Sequence, residues 1–113
     1  MRSKILALSK NEEFKSLLKK KKISNKYVTI FFGYLNDKNK RRLNISFVTK
    51  KKIGNAVKRN KIKRRLRNIM NDATKKIPIK FNYSYLVIAK PTMLNNDFNN
   101  IKETLFQDFK KIK

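Results

Sequence analysis

Between Ala56 and Met70 the chain reads AVKRNKIKRRLRNIM, and seven of the ten residues from Lys58 to Arg67 are Lys or Arg. That density of like charge keeps most of the segment out of a packed core. Yet its apolar residues recur at helical spacing. At about 100° per residue with Val57 at zero, Ile62, Leu66, Ile69, Met70 and Ala73 gather between about 120° and 220°. Asn60, Lys61, Arg64, Arg67 and Asn68 fall on the far side. The pattern predicts a helix from about Asn55 to Lys75 with one face packed and the other presenting cations and amides. Asn55 is a candidate N-cap, and Gly54 allows a tight turn before it. Arg59 falls near the apolar side, which an ideal helix does not explain. At the helix start its long side chain can reach past a sheet edge.

The rest of the chain must supply the surface on which this helix packs. Residues 10–20, KNEEFKSLLKK, read as a short helix with Asn11 as N-cap, Glu12 and Glu13 in the first turn, and an apolar stripe of Phe14, Leu17 and Leu18. Residues 26–35 and 43–50 read as strands, rich in β-branched and aromatic residues. The polar turn between them, 36–42, suggests that they form a hairpin. The nearly continuous apolar run SYLVIAK, 84–90, reads as a central strand ended by Pro91. Residues 96–112 form a closing helix, with Phe98, Ile101, Leu105, Phe109 and Ile112 at spacings of three and four. The order α-β-β-α-β-α implies one α+β domain over 1–113, a small mixed β-sheet with helices packed on it.

The net charge is +24, from 31 basic and 7 acidic residues. A charge of that size and sign predicts a polyanionic partner, nucleic acid first. No apolar run approaches a membrane span, and the N-terminal MRSKILALSK is too short in its apolar part for a signal peptide. No membrane partner and a cytoplasmic location are therefore expected. With neither cysteine nor histidine, thiol chemistry and the commonest general base are missing. The acids are scattered, and the adjacent pair Glu12 and Glu13 would point about 100° apart on a helix. Any catalysis would have to come from a partner. Lys, Asn and Ile are in excess, which fits A+T-rich codons, so positions carry more weight than totals.

A lysine-rich face is often mere solvated surface. Here the residue types argue for more. Arginine forks match phosphate oxygens bidentately, and Asn60 and Asn68 can hydrogen-bond bases or sugars. Lys50, Lys51 and Lys52 add charge just before the helix. The order KKKIGNAVKRNKIKRRLR also resembles the signature of the bacterial ribonuclease P protein component. Its K-x-G-x-A-V-x-R-N-R-x-K-R-x-x-R-like run is matched by Lys52, Gly54, Ala56, Val57, Arg59, Asn60, Lys61, Lys63, Arg64 and Arg67. Lys61 departs from the family's usual second arginine, keeping the charge and losing the fork. The resemblance spans nearly the whole chain, including the NEEF helix and the IAK strand end before Pro91.

The resemblance implies a protein subunit of ribonuclease P, in which an RNA subunit holding Mg2+ removes 5′ leaders from precursor tRNA. It implies a left-handed β-α-β crossover, and one monomeric protein per RNA subunit. Lys51, Lys52, Asn55, Arg59, Asn60, Lys61, Lys63, Arg64, Arg67 and Asn68 would bind RNA. The leader would lie in a cleft formed by Phe14, Leu18, Val28, Ile30 and Val48. Many relatives carry aromatics at the positions of Leu18 and Ile30, so leader stacking is expected to be weaker, or supplied by Tyr27 or Phe32. Apolar residues in a chain of this length are as often core as cleft. Whether the protein itself holds a metal is left open. Charge, size and architecture alone would equally suit a ribosomal or RNA-packaging protein, or a DNA-binding architectural protein. The Arg-Asn run with its upstream glycine favours the first reading.

Overall fold

A computed structural model describes residues 5–6, 11–34, 43–79 and 82–112, with side chains from 15 onward. The strands are β1 (Ile5–Leu6), β2 (Lys21–Ser24), β3 (Val28–Gly33), β4 (Leu43–Val48) and β5 (Ser84–Ala89). The α-helices are α1 (Asn11–Leu18), α2 (Ala56–Lys76) and α3 (Phe98–Lys111), with 3-10 turns at Lys51–Ile53 and Pro91–Leu94. The strands form one mixed sheet in the order β1-β4-β5-β3-β2. β5 runs parallel to β4 and antiparallel to β3.

That order corrects the expected hairpin. The two strands after α1 that were to pair, β3 and β4, are separated by β5. The reason is burial. β5 is buried along almost its whole length, so it needs a neighbour on each side and a cover on each face. Pairing β3 with β4 would have left it at an edge. The hairpin partner of β3 is instead β2, a polar edge strand that sequence patterning missed. Asn25 shapes their turn, its Oδ1 accepting from Tyr27 N at 2.7 Å and Val28 N at 2.9 Å. Its amide donates to Asp108 Oδ2 on α3 at 2.6 Å, which ties the turn to the last helix. The polar turn at 36–42 and the side chain of Asn11 lie outside the described residues.

The two faces of the sheet are covered unequally. On one, Ile62, Leu66, Ile69, Met70 and Ala73 of α2 join Ile101, Leu105 and Phe109 of α3. They seal Val28, Ile30, Phe32, Leu43, Ile45, Tyr85 and Val87. The five α2 residues are those that the helical periodicity predicted. Fully burying a side chain such as Leu66 contributes about 1.5–3 kcal/mol. Lys102 of α3 reaches Asp72 of α2 at 2.7 Å and pins the two helices together. On the other face, among the described residues, α1 alone packs, setting Leu17 on Leu86 and leaving Phe31, Val48 and Ile88 partly covered.

Both ends of α2 follow from local chemistry. Asn55 caps the first turn, its side chain accepting from Lys58 N at 3.0 Å. Gly54 has φ 156°, and a Cβ there would meet Lys58 Cδ at 2.9 Å, so only glycine makes this approach without strain. At the far end Ile77 is extended ahead of Pro78, and the helix stops at Lys76.

Candidate nucleic-acid interface

The outer side of α2 carries the cations. Asn55, Asn60, Lys61, Arg64, Arg67 and Asn68 are exposed, and Arg59 and Lys63 are half-buried. Just upstream, Ile53 is buried and anchors its 3-10 turn, so Lys51 and Lys52 stand exposed beside the helix start. All ten basic and amide positions expected from the sequence thus fall on one helix and its lead-in. Val57 is 76% exposed among them, an apolar surface that a sugar or base could cover.

Arg59 is the anomaly that the helical geometry left unexplained. Its Nε is buried and has no hydrogen-bond partner among the described residues. A buried donor without an acceptor is costly. Sequence reasoning missed Arg65. With Lys58 and Lys61 it lines a small depression of about 200 Å³ against Leu94 and Asn95. The signal was present, because residues 58, 61 and 65 stand at spacings of three and four.

The open sheet face lies around α1. Strand register puts Phe31 and Thr29 of β3, Ile88 of β5 and Val48 of β4 on it. Leu18 is 49% exposed at its rim. Two of the expected cleft residues do not belong here. Val28 and Ile30 are fully buried and point to the α2–α3 side. A strand alternates its side chains, so these two share a face with each other and not with Phe31. Tyr27 and Phe32, the expected substitutes for missing aromatics, are also buried in that core. The aromatic ring that β3 offers to the open face is Phe31. The side chain of Phe14 lies outside the described residues.

A lysine closes one end of this face. Lys90 Nζ donates to Ser24 Oγ at 2.9 Å and to the Asn25 carbonyl at 2.5 Å, and Thr92 Oγ1 donates to the Lys26 carbonyl at 2.6 Å. These bonds fix the β2–β3 turn against the end of β5. Among the described residues no three of His, Cys, Asp and Glu come together as a metal site, and no helix is long and apolar enough to cross a membrane.

The sequence as a whole matches the family described as Ribonuclease P over residues 3–113. The chain belongs to the ribonuclease P protein family. It is 36% identical over 98 residues to the ribonuclease P protein component of Mesoplasma florum, covering 87% of this chain and 86% of that one. To the component from Carboxydothermus hydrogenoformans it is 32% identical over 110 residues, covering 94% and 90%. The fold agrees with solved structures. The RNase P protein from Thermotoga maritima superposes with a TM-score of 0.80 at 26% identity, over 96% of this chain and 98% of that one. The Staphylococcus aureus RNase P protein gives 0.76 at 25% identity, over 94% and 93%. The chain is a protein subunit of ribonuclease P.

Proposed function

We propose that the two surfaces divide the work of binding. The face of α2 with Lys51 and Lys52 holds the ribonuclease P RNA through phosphates and sugars. The open sheet face takes the 5′ leader of precursor tRNA, with Phe31 stacking on a base and Val48, Ile88 and Leu18 lining its path. The RNA subunit carries out the endonucleolytic cleavage that gives the mature tRNA 5′ end. Magnesium is held mainly by that RNA. The protein acts in the cytoplasm, as a monomer on one RNA subunit.

The observation that carries this reading is the unequal covering of the sheet. Two helices seal one face, while the other keeps an aromatic ring and two aliphatic side chains partly uncovered. A surface of that kind suits unpaired bases, which stack on rings without regard to sequence. The cationic helix suits the folded RNA, whose backbone charge dominates affinity. Neutralising about 6–8 phosphates makes binding steeply salt-dependent.

The test is cleavage of a 5′-labelled precursor tRNA at low magnesium by a bacterial ribonuclease P RNA, with and without this protein and beside a protein-only control. Cleavage in the combined reaction alone is the expected result. Tight RNA binding without any stimulation of cleavage would refute the division of labour.

A further inference from the structure

A second concave surface lies beyond the open face, at the end of β3, and neither binding surface above includes it. It encloses about 450 Å³ between Lys19, Lys20 and Lys21 on one side and Gly33, Tyr34 and Tyr83 on the other. Among the described residues no carboxylate lines it, and none of its lysines stands in an ion pair.

Its construction is specific. The chain leaves α1 through a tight turn, with Lys19 N donating to the Ser16 carbonyl at 3.2 Å and Lys20 N to the Leu17 carbonyl at 3.0 Å. Three successive lysines are thereby delivered to the edge of the sheet. The stem of Lys20 lies so close to the strand that a Cβ on Gly33 would meet its Cγ at 2.8 Å. Opposite, Tyr34 is 59% exposed. Its ring is nonetheless held in place. It stands edge-on to Tyr83 at 4.7 Å between centroids, and its hydroxyl accepts from Asn82 Nδ2 at 3.2 Å. Tyr83 in turn contacts Phe32 and Tyr85 of the core. A large ring exposed to water but fixed by the fold loses little freedom when a ligand covers it. Rings facing a fan of unpaired ammonium groups form the combination that single-stranded nucleic acid needs, a stacking platform beside a phosphate-binding edge.

Gly33 shares a face with Phe31, two residues or about 7 Å further along β3. Lys20 lies against Gly33, so the lysine edge of the pocket adjoins the open face, while Tyr34, packed on Tyr83 and through it on Phe32, stands on the α2–α3 side of the strand end, and a leader leaving the open face would reach it by passing around that end. We propose that the pocket binds a nucleotide of the 5′ leader lying further from the cleavage site, stacking its base on Tyr34 and holding its phosphate with Lys20 and Lys21. The proposal rests on the leader reading above.

The experiment uses the assembled holoenzyme and precursor tRNAs whose leaders are lengthened one nucleotide at a time. Affinity is expected to rise in two steps, the first on filling the open face and the second on reaching the pocket. Tyr34→Ala, and separately the pair Lys20→Ala with Lys21→Ala, remove the second step, worth about tenfold. Tyr34→Phe keeps it, because the ring remains. Both alanine variants keep the first step, which also shows that they are folded. A first step with no second step in the wild-type holoenzyme would overturn this inference and leave the leader reading standing. Affinity independent of leader length would overturn both. Variants that weaken assembly with the RNA subunit, and leave leader dependence intact, would assign the pocket to that RNA and end the proposal.

Discussion

The two faces of the sheet use similar residues for different ends. On the α2–α3 side, Val28, Ile30, Val87 and Leu66 are sealed and hold the fold together. On the α1 side, Phe31, Val48 and Ile88 are no less apolar, yet remain partly uncovered. One eight-residue helix cannot cover what a helix of 21 residues and another of 14 cover opposite. Under the proposed function, stability and binding draw on opposite sides of the same strands, and alternate residues along β3 should respond to substitution in unlike ways.

That contrast can be broken most directly in the sealed core. Leu66→Ala is expected to cost about 2–5 kcal/mol of unfolding free energy, through lost burial and a residual cavity. Chemical denaturation measures it, and a loss below that range would mean that the α2 face is not the main core. Phe31→Ala sharpens the comparison from the other side. Leader affinity is expected to fall by about 1–3 kcal/mol, as for loss of one stacked base. Its denaturation midpoint should move far less than that of Leu66→Ala, and an equal shift would erase the distinction between the faces.

Arg64→Ala tests the basic helix, since Arg64 is exposed. The slope of log affinity for the RNA subunit against log salt is expected to shrink by about one, with stability almost unchanged. A lower melting temperature with no binding defect would contradict its outward placement. The smallest effect is expected at Asp72. Its hydrogen bond to Lys102 holds the carboxyl below its ordinary range, against a partial offset from desolvation. A lowered folded-state value stabilises the protein above the carboxylate's unfolded pKa, and that contribution is lost as pH falls through the folded value. The pair is largely solvated, so Asp72→Asn is expected to cost only about 0.5 kcal/mol at neutral pH. The difference from wild type should vanish on acidification, and one that persists in acid would exclude the ion pair as its source.

Local features were legible in the sequence. The buried stripe of α2, its Asn55 cap, the central position of β5 and the stripe of α3 all follow from periodicity and from short-range chemistry. Pairing was not legible, because the neighbours of β5 come from far along the chain. Nor was the facing of β3. VTIFFG carries apolar residues on both sides, so alternation gives no sign of which face is covered. Register against β5 and the packing of α1 turn Phe31 to one side and Val28 and Ile30 to the other. The RNA-binding candidates lay on one helix and its lead-in and emerged together. The cleft candidates depended on that parity, and two of them fell on the wrong side. The short strands β1 and β2 are too brief, and β2 too polar, to register as strands by pattern.

The bond from Asn25 to Asp108 spans 83 residues of sequence. It sets an order of events on the ribosome. The cap and first turns of α2 need only their own neighbours, whereas contacts so distant in sequence must wait for loop closure. A nascent chain can present its cationic helix before β5 has entered the sheet. The β2–β3 turn can be fastened only after α3 has been made. The cationic helix can therefore form early in synthesis, whereas the turn that borders the open sheet face is fastened only once the last helix exists.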